Sequence, residues 1–204
     1  MLFTRWYDRE KTVSTVPEKK LLTPEEYIIF EREAEFKSEY RNGQIIMMPG
    51  ASREHVLIAG NIFGELYIQL LERTCEVYVN DMRVKVSDSG LYTYPDVIVV
   101  CDEPRFEDGH FDTLLNPTVI VEVLSPSTED YDRSGKFYSY QTLESLQEYI
   151  LVSQYDVRVE QYIRQDENWK LMEYHSLDNV MINASIECQL ALRAIYAKVK
   201  MIGR

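Results

Sequence analysis

Two acidic residues interrupt the most apolar stretches of this 204-residue chain. Asp96 opens the run DVIVV directly after Pro95, and Glu122 lies inside VIVEVL, where strand alternation predicts that it shares a face with Ile120 and Leu124. A carboxylate in such a strand is costly unless it is paired, hydrogen-bonded or bound to a metal. If the two strands are neighbours, both carboxylates converge on one site, and hard divalent cations prefer such oxygen ligands. The pattern predicts a site for Mg²⁺ or Mn²⁺, with a buried salt bridge or a capped strand end as the alternative.

A lysine follows these carboxylates on a segment that is predicted to be helical. Lys136 shares a helical face with Asp132 and Tyr140, which lie one turn before and one turn after it. A surface Asp132–Lys136 pair is the plain interpretation, and it would contribute only about 0.3–0.5 kcal/mol. Beside a metal and a phosphate, the ammonium would instead orient the attacking water and stabilise developing negative charge. Together with the two carboxylates, Lys136 favours the functional interpretation.

The elements around these residues can be predicted from local signals. Thr23, Pro24 and Glu26 are typical of a helix start with a capping box. Asn42-Gly43 between two strand-like runs predicts a two-residue hairpin turn. Apolar residues at helical spacing predict a long helix from about 52 to 71.

The rest of the chain is rich in predicted strands. The runs YPDVIVVCDE and PTVIVEVLS are almost continuously apolar, as in strands buried on both faces, and PRFEDGHFDTLLN between them is predicted to be a loop. EYILVS is a further strand, VRVEQYIR and WKLMEYH form a hairpin, and IECQLALRAIYAKV is predicted to be a closing helix. This order predicts one mixed α/β domain, residues 21–204, with a sheet flanked by helices. Residues 1–20 are predicted to form an N-terminal extension.

Composition limits the classes of function. The net charge of -12 argues against a protein that coats DNA, because such binding needs Lys and Arg to neutralise phosphates. It argues less against an enzyme that presents carboxylates to a divalent metal. No run reaches the roughly 20 apolar residues that a membrane span needs, and the charged start MLFTRWYDREK does not fit a secretory signal. A cytoplasmic location without membrane association is therefore predicted.

The three cysteines Cys75, Cys101 and Cys188 are odd in number and far apart. They fit neither a disulfide framework nor a zinc knuckle. Cys75 and Cys101 lie in apolar patterns and are predicted to be buried thiols.

Several motifs together resemble the Uma-two family of bacterial proteins. They are YPDVIVV, VIVEVLSPSTEDYDRSGKFYSY and EYILVS, with TPEEY, SEYRNGQIIMMPG and REHVLIAGNI upstream. The resemblance covers most of residues 21–155, and EVLSPST followed by D-x-x-x-K-x-x-x-Y is its most specific part. This family, long catalogued as a domain of unknown function, belongs to the PD-(D/E)xK superfamily. The resemblance therefore implies a restriction endonuclease-like fold, with a central mixed sheet flanked by helices.

The resemblance also implies a site. It makes Asp96 and Glu122 metal ligands. The usual lysine of the superfamily follows the acidic residue by two positions, where this chain has Leu124, and the resemblance implies that Lys136 on the next helix has taken over its function. Glu39, at the start of the hairpin strand, is a further candidate metal ligand. His55 is a candidate base, phosphate contact or support for a ligand, with a structural hydrogen bond as the alternative.

The leading hypothesis is a metal-dependent endonuclease that hydrolyses phosphodiester bonds of DNA. Asp96 and Glu122, with Glu39, would hold Mg²⁺ or Mn²⁺, and Lys136 would position the water. A catalytically inactive nuclease-fold module for binding or assembly is the second hypothesis, because fold does not fix function. A hydrolase that uses two carboxylates without metal, as glycosidases do, is the third. By analogy with nucleases that pair to cut two strands, a homodimer is expected.

Overall fold

The computed structural model describes residues 21–86 and 90–201, so the predicted extension 1–20 lies outside the described residues. Helices and strands alternate irregularly along the chain. In order, they are α1 (Pro24–Glu33), β1 (Ser38–Arg41), β2 (Gln44–Met47), α2 (Arg53–Leu70), β3 (Glu76–Val79), β4 (Arg83–Val86), β5 (Leu91–Thr93), β6 (Val97–Val100), β7 (Thr113–Leu114), β8 (Val119–Leu124), α3 (Glu129–Tyr131), a π-helical turn (Asp132–Lys136), α4 (Phe137–Tyr140), β9 (Glu148–Ser153), β10 (Val159–Gln165), β11 (Asn168–Tyr174), β12 (Val180–Asn183), a 3₁₀ turn (Ala184–Ile186), β13 (Cys188–Ala191) and α5 (Leu192–Ile195).

Two sheets form the body of the fold. The larger has six strands in the order β11-β10-β9-β8-β6-β3, in which β8 and β9 run parallel and the other neighbours antiparallel. The second has five strands in the order β2-β1-β5-β4-β7. The predicted mixed α/β class and the mixed sheet flanked by helices are therefore confirmed.

The larger sheet separates two apolar cores. On one face, α2 and the C-terminal segment pack against side chains such as Val97, Val121 and Ile150. On the other face, α4 and the second sheet pack against Ile98 and Ile120. Alternation along β8 sends Glu122 to the second face, with Ile120 and Leu124, as the sequence predicts. Glu122 therefore lies between the two sheets.

Local signals at the N-terminal end are confirmed. Thr23 caps α1 through a hydrogen bond from the backbone N–H of Glu26, and the Glu26 side chain accepts from the Thr23 N–H in return. Asn42 and Gly43 join β1 to β2 with positive φ values of 47° and 88°, the conformation that such a two-residue turn requires.

None of the described helices has both the length and the apolar character that a bilayer crossing demands.

The predicted closing helix IECQLALRAIYAKV is wrong. Its first half forms a 3₁₀ turn and the strand β13, which pairs with β12, and only Leu192–Ile195 is α-helical. The apolar residues Cys188 and Leu190 alternate with exposed or half-buried neighbours, so the strand period is present beside the helical one. Pairing with β12 stabilises the strand rather than the helix in this segment.

The predicted loop PRFEDGHFDTLLN also contains regular structure. Its residues Thr113–Leu114 form β7, which pairs in parallel with β4.

The prediction of two buried thiols is also wrong, because Cys75 and Cys101 form a disulfide. The antiparallel register of β3 and β6 pairs Glu76 with Val100, so the next residues, Cys75 and Cys101, face each other directly. Cys188 is a free, buried thiol.

Candidate active site

Lys136 lies at the centre of a buried group of carboxylates. Its Nζ is 2.9 Å from Oε1 of Glu122, 3.0 Å from Oε1 of Glu39 and 3.6 Å from Oδ1 of Asp132. The exposed fractions of these four side chains range from 3% to 10%, so the pairs are shielded from solvent. Three of the five predicted site residues, Glu39, Glu122 and Lys136, are therefore in direct contact.

Different elements supply the members of this cluster. Glu39 comes from β1 of the second sheet and Glu122 from β8 of the larger sheet. Lys136 and Asp132 come from the π-helical turn, a feature that often accompanies functional sites. Residues of both sheets and of α4 share one apolar core, and the carboxylates of Glu39 and Glu122 reach the same lysine.

Neighbouring hydroxyl groups fix the two glutamates. The Tyr140 hydroxyl donates a 3.1 Å hydrogen bond to Oε1 of Glu122, and the Thr93 hydroxyl donates one to Oε1 of Glu39. No described residue donates a hydrogen bond to Oε2 of either glutamate. Tyr140 was predicted to share a face with Lys136, whereas Thr93 gave no signal in the sequence because its contact depends on the pairing of β1 with β5.

The other two predicted residues, Asp96 and His55, bind each other. Nε2 of His55 lies 2.7 Å from Oδ1 of Asp96, and the backbone N–H of Val123 donates a 2.7 Å hydrogen bond to Oδ2 of Asp96. Val97 of β6 pairs with Val121 of β8, so Asp96 stands beside Glu122 one position beyond the ladder. The five predicted residues are thus gathered at one end of the β6–β8 pair.

Helix α2 is anchored so that His55 reaches Asp96. Ser52 caps the helix by accepting from the His55 N–H, and its hydroxyl donates to Oε1 of Gln154 at 2.5 Å. The Gln154 side-chain amide donates in turn to the carbonyl of Leu124 at the end of β8. This connection ties the first turn of α2 to the strand that carries Glu122.

The cluster has more carboxyl groups than cations, and burial shifts the pKa values of its members. Burial raises the pKa of Glu122 well above its usual value, and Asp132 and Asp96 add to this effect against the opposing Lys136. Burial also raises the pKa of Asp132. Burial opposes the charge of Lys136, but Glu122 and the other surrounding acidic groups outweigh it and raise its pKa well above the usual range. Lys136 therefore stays protonated at neutral pH, and one ammonium faces several carboxyl groups.

These residues fit a divalent cation in donor chemistry. The donors are carboxylate oxygens, which Mg²⁺ and Mn²⁺ prefer. Among the described residues, none donates a hydrogen bond to the buried Oδ1 of Asp132, and Nζ of Lys136 lies 3.6 Å from it. In residues 21–86 and 90–201, however, no three or more His, Cys, Asp or Glu side chains are grouped closely enough to hold a metal. Lys136 stands between Glu39 and Glu122, so those two carboxylates face the ammonium.

Comparisons with known proteins agree with this architecture. The sequence model of the Uma2 family, described as "Putative restriction endonuclease", matches residues 24–194. The "Uncharacterized protein sll1609" of Synechocystis sp. is 41% identical over 155 residues, 76% of this chain and 88% of the relative. The "Uncharacterized protein slr1290" of the same organism is 37% identical over 176 residues, 86% of this chain and 91% of the relative.

A solved structure shares the fold. It is the "Crystal structure of a putative nuclease belonging to DUF820" from Anabaena variabilis, with a TM-score of 0.70 and 18% sequence identity. The alignment covers 88% of this chain and 99% of that chain. The match to the family model spans the helix that begins at Pro24, all five predicted site residues and β13. The chain belongs to the Uma2 family.

Proposed function

We propose that this protein is a divalent-metal-dependent endonuclease that hydrolyses phosphodiester bonds of DNA. The observation that carries the proposal is the contact of Glu122, Glu39 and Asp132 with Lys136. Asp96 stands opposite Glu122 on the neighbouring strand, one position beyond the ladder. The family, whose description names a restriction endonuclease, supports the same class of reaction. DNA as the substrate is part of the proposal.

Asp96 and Glu122 are the proposed ligands of Mg²⁺ or Mn²⁺, with Glu39 as a third. The bound cation would supply a water of lowered pKa and would offset the charge of the scissile phosphate. His55 holds one oxygen of Asp96 through their 2.7 Å contact, and the Val123 N–H holds the other. The ligand is thereby oriented before a metal arrives, as in other metal sites whose ligands are held by neighbouring groups.

Lys136 has the proposed role of a charged hydrogen-bond donor. Because its pKa is raised, it is an ammonium at neutral pH and cannot serve as a general base. It can donate to the attacking water or to a phosphate oxygen, where negative charge develops during hydrolysis. Tyr140 orients Glu122 through its hydroxyl and does not itself react in this proposal.

The second candidate is a catalytically inactive module that keeps the nuclease fold for binding or assembly. One observation favours it: Lys136 stands between Glu39 and Glu122, as in a buried structural ion pair, and the described residues hold no ready group of three metal ligands. The net charge of -12 favours it as well. The two candidates differ in whether the protein cleaves DNA when a divalent cation is present.

A cleavage assay separates the candidates. Supercoiled plasmid and end-labelled duplex and single-stranded DNA are incubated with the protein in Mg²⁺, in Mn²⁺ and in EDTA. We expect cleavage only with a metal. Glu122→Gln removes a proposed metal ligand and should lower the cleavage rate at least about 100-fold. Each tenfold loss of rate corresponds to about 1.4 kcal/mol of lost transition-state stabilisation. Glu107→Gln is the matched control, because Glu107 also holds a lysine, Lys85, at 2.5 Å but lies outside the cluster. Cleavage by Glu122→Gln at the wild-type rate would contradict the proposal.

A further inference from the structure

Arg41 is a second cation beside the carboxylate cluster, and its charge helps to lower the pKa of Glu39. It lies two residues after Glu39 in β1, so both side chains project from the same face of the strand. Its guanidinium stacks on the ring of Tyr131, with its carbon 3.6 Å from the ring centroid. Within residues 21–86 and 90–201, no carboxylate lies at ion-pair distance from Arg41, and its buried Nε has no hydrogen-bond partner.

The local structure holds this guanidinium in place. Tyr131 ends α3 directly before the π-helical turn, and its ring packs against Gly135 one turn later. A Cβ at position 135 would lie only 2.9 Å from Cε2 of Tyr131, so glycine makes room for the ring. The ring in turn supports Arg41. The ring that supports Arg41 therefore lies directly beside the turn that carries Lys136.

A stacked arginine whose side-chain donors are unused by the described residues is suited to bind a phosphate. Guanidinium presents five N–H donors in a planar fork that matches phosphate oxygens, and stacking fixes the plane of that fork at little entropic cost. Lys136 is occupied by Glu39, Glu122 and Asp132, so Arg41 is the cation near the cluster whose donors are unused by described residues. In a chain with a net charge of -12, such a cation compensates locally for the repulsion of a polyanion.

We propose that Arg41, stacked on Tyr131, binds a backbone phosphate of the DNA next to the scissile bond. The inference rests on the proposed function, and it adds a residue that binds the substrate without holding the metal. A phosphate contact of this kind positions the strand and contributes a salt-dependent part of the affinity.

The test measures binding of a fluorescent 20-base-pair duplex with phosphorothioate linkages, which resist hydrolysis, by anisotropy in Mn²⁺ at several salt concentrations. We expect Arg41→Gln to weaken binding about tenfold and to reduce the slope of log affinity against log salt by about one. Arg41→Lys should keep the slope but lose part of the affinity, because lysine is a point charge without the stacking fork. Tyr131→Leu should weaken binding in the same direction. Arg105→Gln, which removes an exposed arginine at the other end of β6, is the matched control and should change neither quantity.

Calorimetric titration with Mn²⁺ alone separates this inference from the proposed function. Arg41→Gln should bind Mn²⁺ as the wild type does, because Arg41 is no metal ligand. If Arg41→Gln binds the duplex with the wild-type affinity and salt slope, the phosphate role is overturned while the metal site stands. If the wild type binds Mn²⁺ but not the duplex, the phosphate role is likewise overturned. If the wild type neither binds Mn²⁺ nor cleaves DNA, the proposed function fails, and the role of Arg41 fails with it.

Discussion

Glu39 and Glu122 lie in different β-sheets, and both pair with the same ammonium group, that of Lys136, at 3.0 and 2.9 Å. The lysine thus joins the second sheet to the larger one at a position that solvent hardly reaches. Burial of three charged groups is costly unless each is compensated, so the cluster links the stability of the fold to the chemistry of the site.

Lys136→Met should destabilise the protein strongly. The change leaves Glu39, Glu122 and Asp132 without their shared cation, and removing one member of a buried pair costs about 3–5 kcal/mol of the free energy of unfolding. Urea unfolding at pH 7 measures this loss. Lys85→Met is the matched control, because the Lys85–Glu107 pair is 28% and 22% exposed and should contribute about 1 kcal/mol or less. Equal losses in the two variants would contradict the assignment of a buried charge cluster.

Glu122→Gln should change how stability depends on pH. Because burial raises the pKa of Glu122, the folded protein binds this proton more tightly than the unfolded chain does. The resulting stabilisation is complete below the ordinary value of 4.5 and is lost as the pH rises through the raised pKa. The variant lacks this loss, so its stability relative to the wild type should increase from pH 5 to pH 8. Urea unfolding of both proteins across that range, without divalent cations, measures the difference. A difference that is constant over the range would be evidence against the raised pKa.

His55→Ala should weaken metal binding without removing a ligand. The change frees Oδ1 of Asp96, and loss of a group that orients a metal ligand typically costs about 10–100-fold in affinity. Calorimetry with Mn²⁺ gives the affinity, and His55→Gln, which can still donate to Asp96, should recover part of it. His110→Ala, at an exposed histidine, is the control. Unchanged affinity in His55→Ala would assign the histidine a structural role alone.

The Cys75–Cys101 disulfide predicts one free thiol in protein purified without reductant. Thiol labelling under denaturing conditions should modify only Cys188, and all three cysteines after reduction. The bond closes a loop with a sequence separation of 26, so the double variant Cys75→Ser, Cys101→Ser should lose about 3 kcal/mol of stability. Labelling of all three thiols without reductant would show that the bond does not form. Disulfides are uncommon in reducing compartments, so the outcome of the labelling also bears on the predicted cytoplasmic location.

Much of the candidate site follows from the sequence because its signals are local. Alternation along VIVEVL assigns Glu122 to the correct face, and helical spacing groups Lys136 with Asp132 and Tyr140. The family resemblance adds Glu39 and His55, which local patterns alone would not select. The roles of all five residues remain proposals that the experiments above address.

The parts that the sequence does not predict depend on contacts between distant segments. His55 and Asp96 are 41 positions apart, and their contact requires the anchoring of α2 on β8. The disulfide depends on the register of β3 and β6, which no local pattern reveals. In the C-terminal segment, apolar residues fit both a helix and a strand, and pairing with β12 decides the outcome. The contact between Arg41 and Tyr131 likewise joins β1 to the end of α3.

A calorimetric titration of Mn²⁺ into the wild type and the double variant Asp96→Asn, Glu122→Gln tests the central claim most directly. Both substitutions keep the size of the side chain and remove its charge, and Glu107→Gln with Asp112→Asn removes two carboxylates outside the cluster as the matched control. We predict binding by the wild type and by the control, and at least about 100-fold weaker binding by the cluster variant, as expected when carboxylate ligands of a hard cation are lost. Absence of binding by the wild type, even with DNA present, or equal binding by all three proteins would contradict a metal site at Asp96 and Glu122.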